Sequence, residues 1–149
     1  MIAKFQGSKD LIEKLTSRLN ISRVIQYLKD REKEDGGFSF APDLYPDVKD
    51  TYYAIRTLQL LEVEIDRGKT ANYLKSINWS DVLFPRAVYR VVYLHLSANI
   101  ELPVPLIDFL KEDWSRFQPL DAQYFSNEIR KLLNQPFKRL SSEKDLGVT

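Results

Sequence analysis

Cysteine is absent from the 149 residues, which removes disulfide cross-links, a thiolate nucleophile and thiolate metal ligands from the chemistry open to the chain. Histidine occurs once, as His95, whereas a tetrahedral zinc centre draws on three or four protein ligands. Neither sign of charge is in excess: 22 Lys and Arg against 21 Asp and Glu leave +1, so neither nucleic acid nor an anionic membrane is an expected partner. No apolar run approaches the roughly 18–20 residues of a membrane span, and Met1-Ile2-Ala3-Lys4-Phe5 lacks the apolar core of a secretion signal. The expectation is a soluble, cytoplasmic chain. Strand-like alternation is missing too, and the 5 glycines and 7 prolines fall mostly between segments of helical period.

What is there is an all-α pattern of about seven helices. Leu11, Ile12, Leu15 and Leu19 set one stripe after Ser8, and Ile21, Val24, Ile25 and Leu28 a second after Asn20, in a helix expected to stop at Gly36. From about Asp47 to Glu62, apolar residues including Tyr52, Tyr53, Ile55, Leu58 and Leu60 cover most of the circumference, which calls for burial on nearly all sides. A one-stripe helix from about Asp66 to Ile77 precedes another many-sided one from about Asp81 to Ala98. A sixth begins near Pro103 and Pro105, and a seventh runs from about Leu120 to Asn134. Outer helices with one greasy stripe thus alternate with inner helices that are greasy on several sides, the signature of a hairpin repeat. The outer ones share an aromatic-leucine pair, as Tyr27-Leu28, Tyr73-Leu74 and Phe109-Leu110. One domain over residues 1–136 and a polar tail over 137–149 are expected.

Several residues invite a chemical reading, each with a plainer rival. Asp47 and Asp50 have the spacing of a helix cap and a reciprocal acid three positions on. That structural role outweighs a catalytic one, because exposed carboxylates titrate too low for acid catalysis near neutrality. His95 shares a face with Val88, Val91 and Val92, as a neutral core imidazole would. Arg86 and Arg90 stand one turn apart on an inner helix, with Arg56 on the preceding inner helix, so the three could clamp a diphosphate. Against that stand salt bridges to Asp50, Glu62 or Glu128, or simple solvent exposure. Tyr52, Tyr53, Tyr89, Tyr93 and Tyr124 could line an aromatic cavity, or could be ordinary core.

Arg23, Tyr27, Leu28, Glu32, Gly36, Gly37 and Phe38, a proline-bearing loop, and then Asp50-Thr51-Tyr52-Tyr53-Ala54-Ile55-Arg56 resemble the prenyltransferase and squalene oxidase repeat. Glu32 stands for the glutamine of that repeat and Phe38 for its tryptophan. The resemblance implies an α-α toroid, of which this chain would supply about half the hairpins, with a concave inner surface that holds an isoprenoid. It also locates the family's catalytic groups. Asp50 matches the zinc-binding aspartate of protein prenyltransferases, but Tyr52 stands at the cysteine two positions on, and the Asp-x-Asp-Asp and Asp-Asp-x-x-Asp acids of terpene cyclases and synthases are absent. Asp50 and His95 are then the only catalytic candidates. The expected function is a module without a recognisable catalytic centre, cofactor or metal, which binds an isoprenoid-like ligand or a protein partner on its inner-helix surface. The alternatives are an enzyme acting on isoprenoid diphosphates and a homo-oligomerising scaffold. Large apolar faces at the open edges call for a cover, from the seven helices curling into a closed bundle, from a second copy that completes a ring, or from another subunit.

Overall fold

The structure, a computed structural model, describes residues 9–11, 13–14, 20–41 and 44–134. The expected Ser8 cap, most of the first apolar stripe and the tail over 137–149 lie outside them. Residues 9–11 and 13–14 are helical and represent α1. They are followed by α2 (Ile21–Asp30), α3 (Val48–Leu60), α4 (Arg67–Lys75), a 3-10 turn (Trp79–Asp81), α5 (Pro85–Ala98), α6 (Val104–Lys111) and α7 (Pro119–Leu133). The protein is all-α. Among the described residues the β-type pairing is a single antiparallel bridge between Glu32 and Phe38.

That bridge corrects the expected end of α2. Rather than running to the glycine pair, the helix closes at Asp30, where Arg31 N–H bonds Leu28 O at 3.0 Å and Glu32 N–H bonds Lys29 O at 3.2 Å. Residues 32–38 then form a tight loop, with Lys33 N–H donating to Gly37 O and Gly36 N–H to Lys33 O. Both glycines sit at positive φ, +91° and +76°, where an L side chain is strained. Space forbids one as well: a Cβ on Gly36 would lie 2.0 Å from Lys69 O, and one on Gly37 would lie 2.6 Å from the Tyr73 ring. The glycine pair therefore lets this loop press against α4, and Phe38 folds back into the core at 2% exposure.

The same loop fixes where α3 begins. Phe38 N–H donates to Thr51 Oγ1 at 2.9 Å, Phe40 N–H to Asp50 Oδ2 at 3.0 Å, and Asp47 N–H to Phe38 O at 3.3 Å. Asp47 caps the helix by accepting from Asp50 N–H at 2.7 Å. Asp50 does not return the favour to the Asp47 amide, as a capping box would, because its carboxylate is spent on the loop. At α5 the expected start moves from Asp81 to Pro85: Phe84 is extended, as the residue before a proline prefers, and the preceding segment takes a 3-10 turn.

Helix α5 is the axis of the molecule, packed against α3, α4 and α7. The three helices expected to be inner thus form a row, α3 beside α5 and α5 beside α7. Val88, Val91, Val92 and Leu94 of α5 have no solvent exposure, and each contributes roughly 1.5–3 kcal/mol by burial. One core cluster joins α5 to α2, α3 and α4 through Leu28, Phe38, Ile55 and Leu74; the other joins it to α6 and α7 through Leu106, Phe109, Ile129 and Leu133. Burial on nearly all sides of α3 does not occur, since Tyr53 and Leu60 keep 45% and 59% of their surface exposed. Among the described residues the row buries one side of each inner helix and leaves the other side less covered, with Tyr53, Arg56, Arg86 and Tyr124 exposed and Tyr89, Arg90 and Tyr93 half-buried.

Candidate functional site

On that less covered side the sequence places two arcs of helical spacing, Tyr52, Tyr53 and Arg56 on α3 and Arg86, Tyr89, Arg90 and Tyr93 on α5. Because α3 packs beside α5, the arcs merge. Tyr52 is the floor, 6% exposed, with Tyr53, Tyr89 and Tyr93 set edge-on around its ring at centroid distances of 5.3, 6.0 and 5.2 Å. The guanidiniums of Arg56 and Arg90 lie 5.8 and 5.9 Å from the Tyr52 centroid. Arg56 Nη1 donates to Tyr52 Oη at 2.6 Å and reaches Tyr89 Oη at 3.5 Å, while Arg90 Nη2 reaches Tyr53 Oη at 3.4 Å. Tyr93 Oη donates to Gln59 Oε1 at 2.5 Å. The cluster continues onto α7 through Phe125, 5.9 Å from the Tyr89 ring and 4.9 Å from that of Tyr124, with Arg86 over its face at 5.7 Å. All eight residues read from the sequence as ligand-binding candidates belong to this one surface.

Its electrostatics are those of neutral phenols among fixed cations. Burial, followed by the neighbouring Tyr89, pushes the Tyr52 hydroxyl up to about 12, and burial also raises Tyr93. For Arg56, burial opposes the charge, but the Tyr52 and Tyr89 oxygens more than restore it, so its pKa lies above the usual guanidinium value. Of the two plainer readings of the arginines, solvent exposure holds for Arg56 and Arg86, and the salt bridges do not form. Among the described residues none of Arg56, Arg86 and Arg90 pairs with a carboxylate, because Asp50 is taken by Phe40 N–H and Glu128 by Lys131 at 3.0 Å. Helix α5 itself carries no acid.

The two catalytic candidates lie elsewhere. Asp50 is bound into the loop at the start of α3 as described. His95 is 3% exposed, its Nδ1–H donating to Val91 O at 2.7 Å with the Trp79 ring 6.2 Å away. Burial, against the Val91 hydrogen bond, holds its pKa below the ordinary imidazole value, so the ring is neutral at pH 7. Among the described residues no three His, Asp or Glu side chains stand close enough to hold a metal ion. No helix among them is long and apolar enough to cross a membrane.

Among the described residues, two clefts lie off the cluster. One, of about 610 Å³, lies between the end of α6, the loop after it and α7, against Trp114, Phe117, Ile129 and Leu133. The other, of about 450 Å³, lies at the starts of α3 and α5 against Val48, Ile77, Val82 and Phe84, and touches the cluster only at Arg90. Neither of these two clefts is the cavity expected behind the tyrosines. Phe125 and Gln59 joined the cluster without having been singled out for it. Gln59 stands one turn beyond Arg56 and two beyond Tyr52, a spacing that was legible, whereas an aromatic such as Phe125 at helical spacing suits either side of its helix. No family model, no curated protein and no solved structure matches the chain.

Proposed function

We propose that the chain is a prenyltransferase-like binding module, without a catalytic centre of that family's kind, whose inner-helix face takes an occupant that is apolar or aromatic over most of its length and negatively charged at its head. The observation that carries this reading is the convergence of three guanidiniums, none paired with a carboxylate among the described residues, onto a cluster of six aromatic rings along α3, α5 and α7. Guanidinium forks recognise phosphate and carboxylate in bidentate fashion. Aromatic rings beside them contribute apolar contact area in the same footprint. The resemblance of the 23–56 segment names isoprenoid diphosphates as a small-molecule class of this description, and the cleft beside Arg90, with its walls of Val48, Val82 and Phe84, offers an apolar chain somewhere to lie.

Titration with farnesyl diphosphate, followed by thermal unfolding, tests the small-molecule form. Ligand at a hundred times its Kd stabilises a folded protein by about 2.7 kcal/mol. The expected result is a rise in Tm that the Arg56→Gln, Arg90→Gln double variant loses. No rise at saturating ligand, or an equal rise in the double variant, removes the isoprenoid from consideration.

A further inference from the structure

We infer that the inner-helix face docks an acidic amphipathic helix of a partner protein, whose carboxylates, one turn apart, meet Arg86 and Arg90. This rests on the reading of the face as a binding surface and goes on to name what binds there. Topography favours a macromolecule. Small ligands bury most of their surface in concave pockets of roughly 300–1,000 Å³, whereas the two clefts described above lie off the cluster, which shares only Arg90 with one of them. Tyrosine and arginine are also the residues that most often anchor protein interfaces. Tyr53 and Tyr124, 45% and 58% exposed, flank the arginines with their rings still uncovered.

Spacing and charge narrow the occupant. Arg86 and Arg90 are four residues apart on α5, the separation that brings two side chains to one face of a helix. A helix lying along α5 with acids at the same separation presents both carboxylates at once, as a further rod laid on a row already made of α3, α5 and α7. Arg56 is prepared for a third contact: its Nη1 is held by Tyr52 Oη, which leaves the Nε–H and Nη2–H edge free for a bidentate acceptor. A second copy of this chain fits poorly, because a two-fold contact through this face would set arginines against arginines.

The test uses a library of displayed helical peptides with randomised surface positions, selected on the full chain and followed by affinity measurement at low and high salt. The expected peptides carry Asp or Glu four residues apart, with aromatic or aliphatic residues on the same face. Their binding should weaken about tenfold or more on Arg86→Gln, Arg90→Gln substitution, weaken with salt, and be indifferent to Arg116→Gln, in the loop between α6 and α7 against Phe109 and Phe117. Peptides without paired acids, or equal binding to the double variant, overturn the inference. If farnesyl diphosphate binds this face and no helix does, the helix is wrong and the binding surface stands. If neither binds, both readings fall.

Discussion

Helices α2, α3 and α4 start on side chains, whereas α5, α6 and α7 start on prolines. In the first group Asn20, Asp47 and Asp66 each accept a hydrogen bond from the backbone N–H three residues on. In the second, Phe84, Pro103 and Gln118 make no such bond, and Pro85, Pro105 and Pro119 sit in the first turn instead. A cap stabilises the helix by satisfying an orphan amide, while a first-turn proline does so by leaving the unfolded chain less freedom to lose. The connections differ in the same way. The early half is tied by directional bonds from the glycine loop to Thr51 and Asp50, and the later half by the ring cluster of Phe109, Trp114 and Phe117. One half is held by geometry that tolerates little change, the other by apolar area that tolerates more.

The largest expected effect breaks the early half alone. Gly36→Ala places a methyl against the Lys69 carbonyl at a positive φ, and a clash with backbone cannot be relieved by a rotamer change, so a loss of about 3–5 kcal/mol is expected. Its counterpart after α5 is Asn99, the left-handed residue at φ 56° that closes the helix. Asn99→Gly should change stability by no more than a few tenths of a kcal/mol. Urea unfolding of both variants measures the contrast, and comparable losses would mean that the loop is no more constrained than an ordinary helix end.

How much of this was legible beforehand follows the same division. The helix count, the alternation of inner and outer helices and the grouping of Tyr52, Tyr53, Arg56, Tyr89, Arg90 and Tyr93 were readable because helical period is written into the spacing of the residues themselves. The end of α2 was not, because Arg31 to Asp35 are residues a helix accepts, and what stops the helix is the long-range closure of Glu32 on Phe38. Nor was the absence of salt bridges at the arginines. Which acid reaches which base depends on the lateral placement of helices, and Asp50 was claimed by an amide ten residues back in the chain. The exposure of Tyr53 and Tyr124 is likewise a property of how three helices lie side by side, which no single helix records.

Cap exchange should give an intermediate effect. Asp47→Ala leaves the Asp50 amide without its acceptor and should cost about 1–2 kcal/mol. Pro119→Ala in α7 should cost about 0.4–1 kcal/mol, since it restores only unfolded-state freedom. In the opposite direction, Gln118→Ser supplies α7 with the acceptor it lacks and should gain about 0.5–1 kcal/mol. Calorimetric Tm values for the three variants rank them directly. A Pro119→Ala loss as large as that of Asp47→Ala would erase the distinction between the two halves.

The finest distinction is in pH, where one titratable group from each half pulls stability in opposite directions. Glu32, beside the glycine loop, has its pKa raised from 4.5 by burial, a shift that the Lys69 ammonium at 3.8 Å only partly opposes. The folded state therefore holds that proton more tightly than the unfolded chain, and this group adds stability as pH falls through its folded pKa, levelling off below 4.5. His95, in α5 against the later core, has its pKa lowered from 6.5. Its contribution is complete above 6.5 and is lost as pH falls below that value, because the unfolded chain takes up the proton first. Glu32→Gln should raise stability slightly at pH 7 and steepen the decline on acidification, leaving His95 unopposed. His95→Phe should keep the ring packed on Trp79 and flatten the profile below pH 6.5. Urea midpoints between pH 5 and 8 separate the two. A Glu32→Gln protein less stable than the parent at pH 7 would show that the Lys69 ion pair outweighs the cost of burying the carboxylate, and that this loop is stabilised by charge as well as by its glycines.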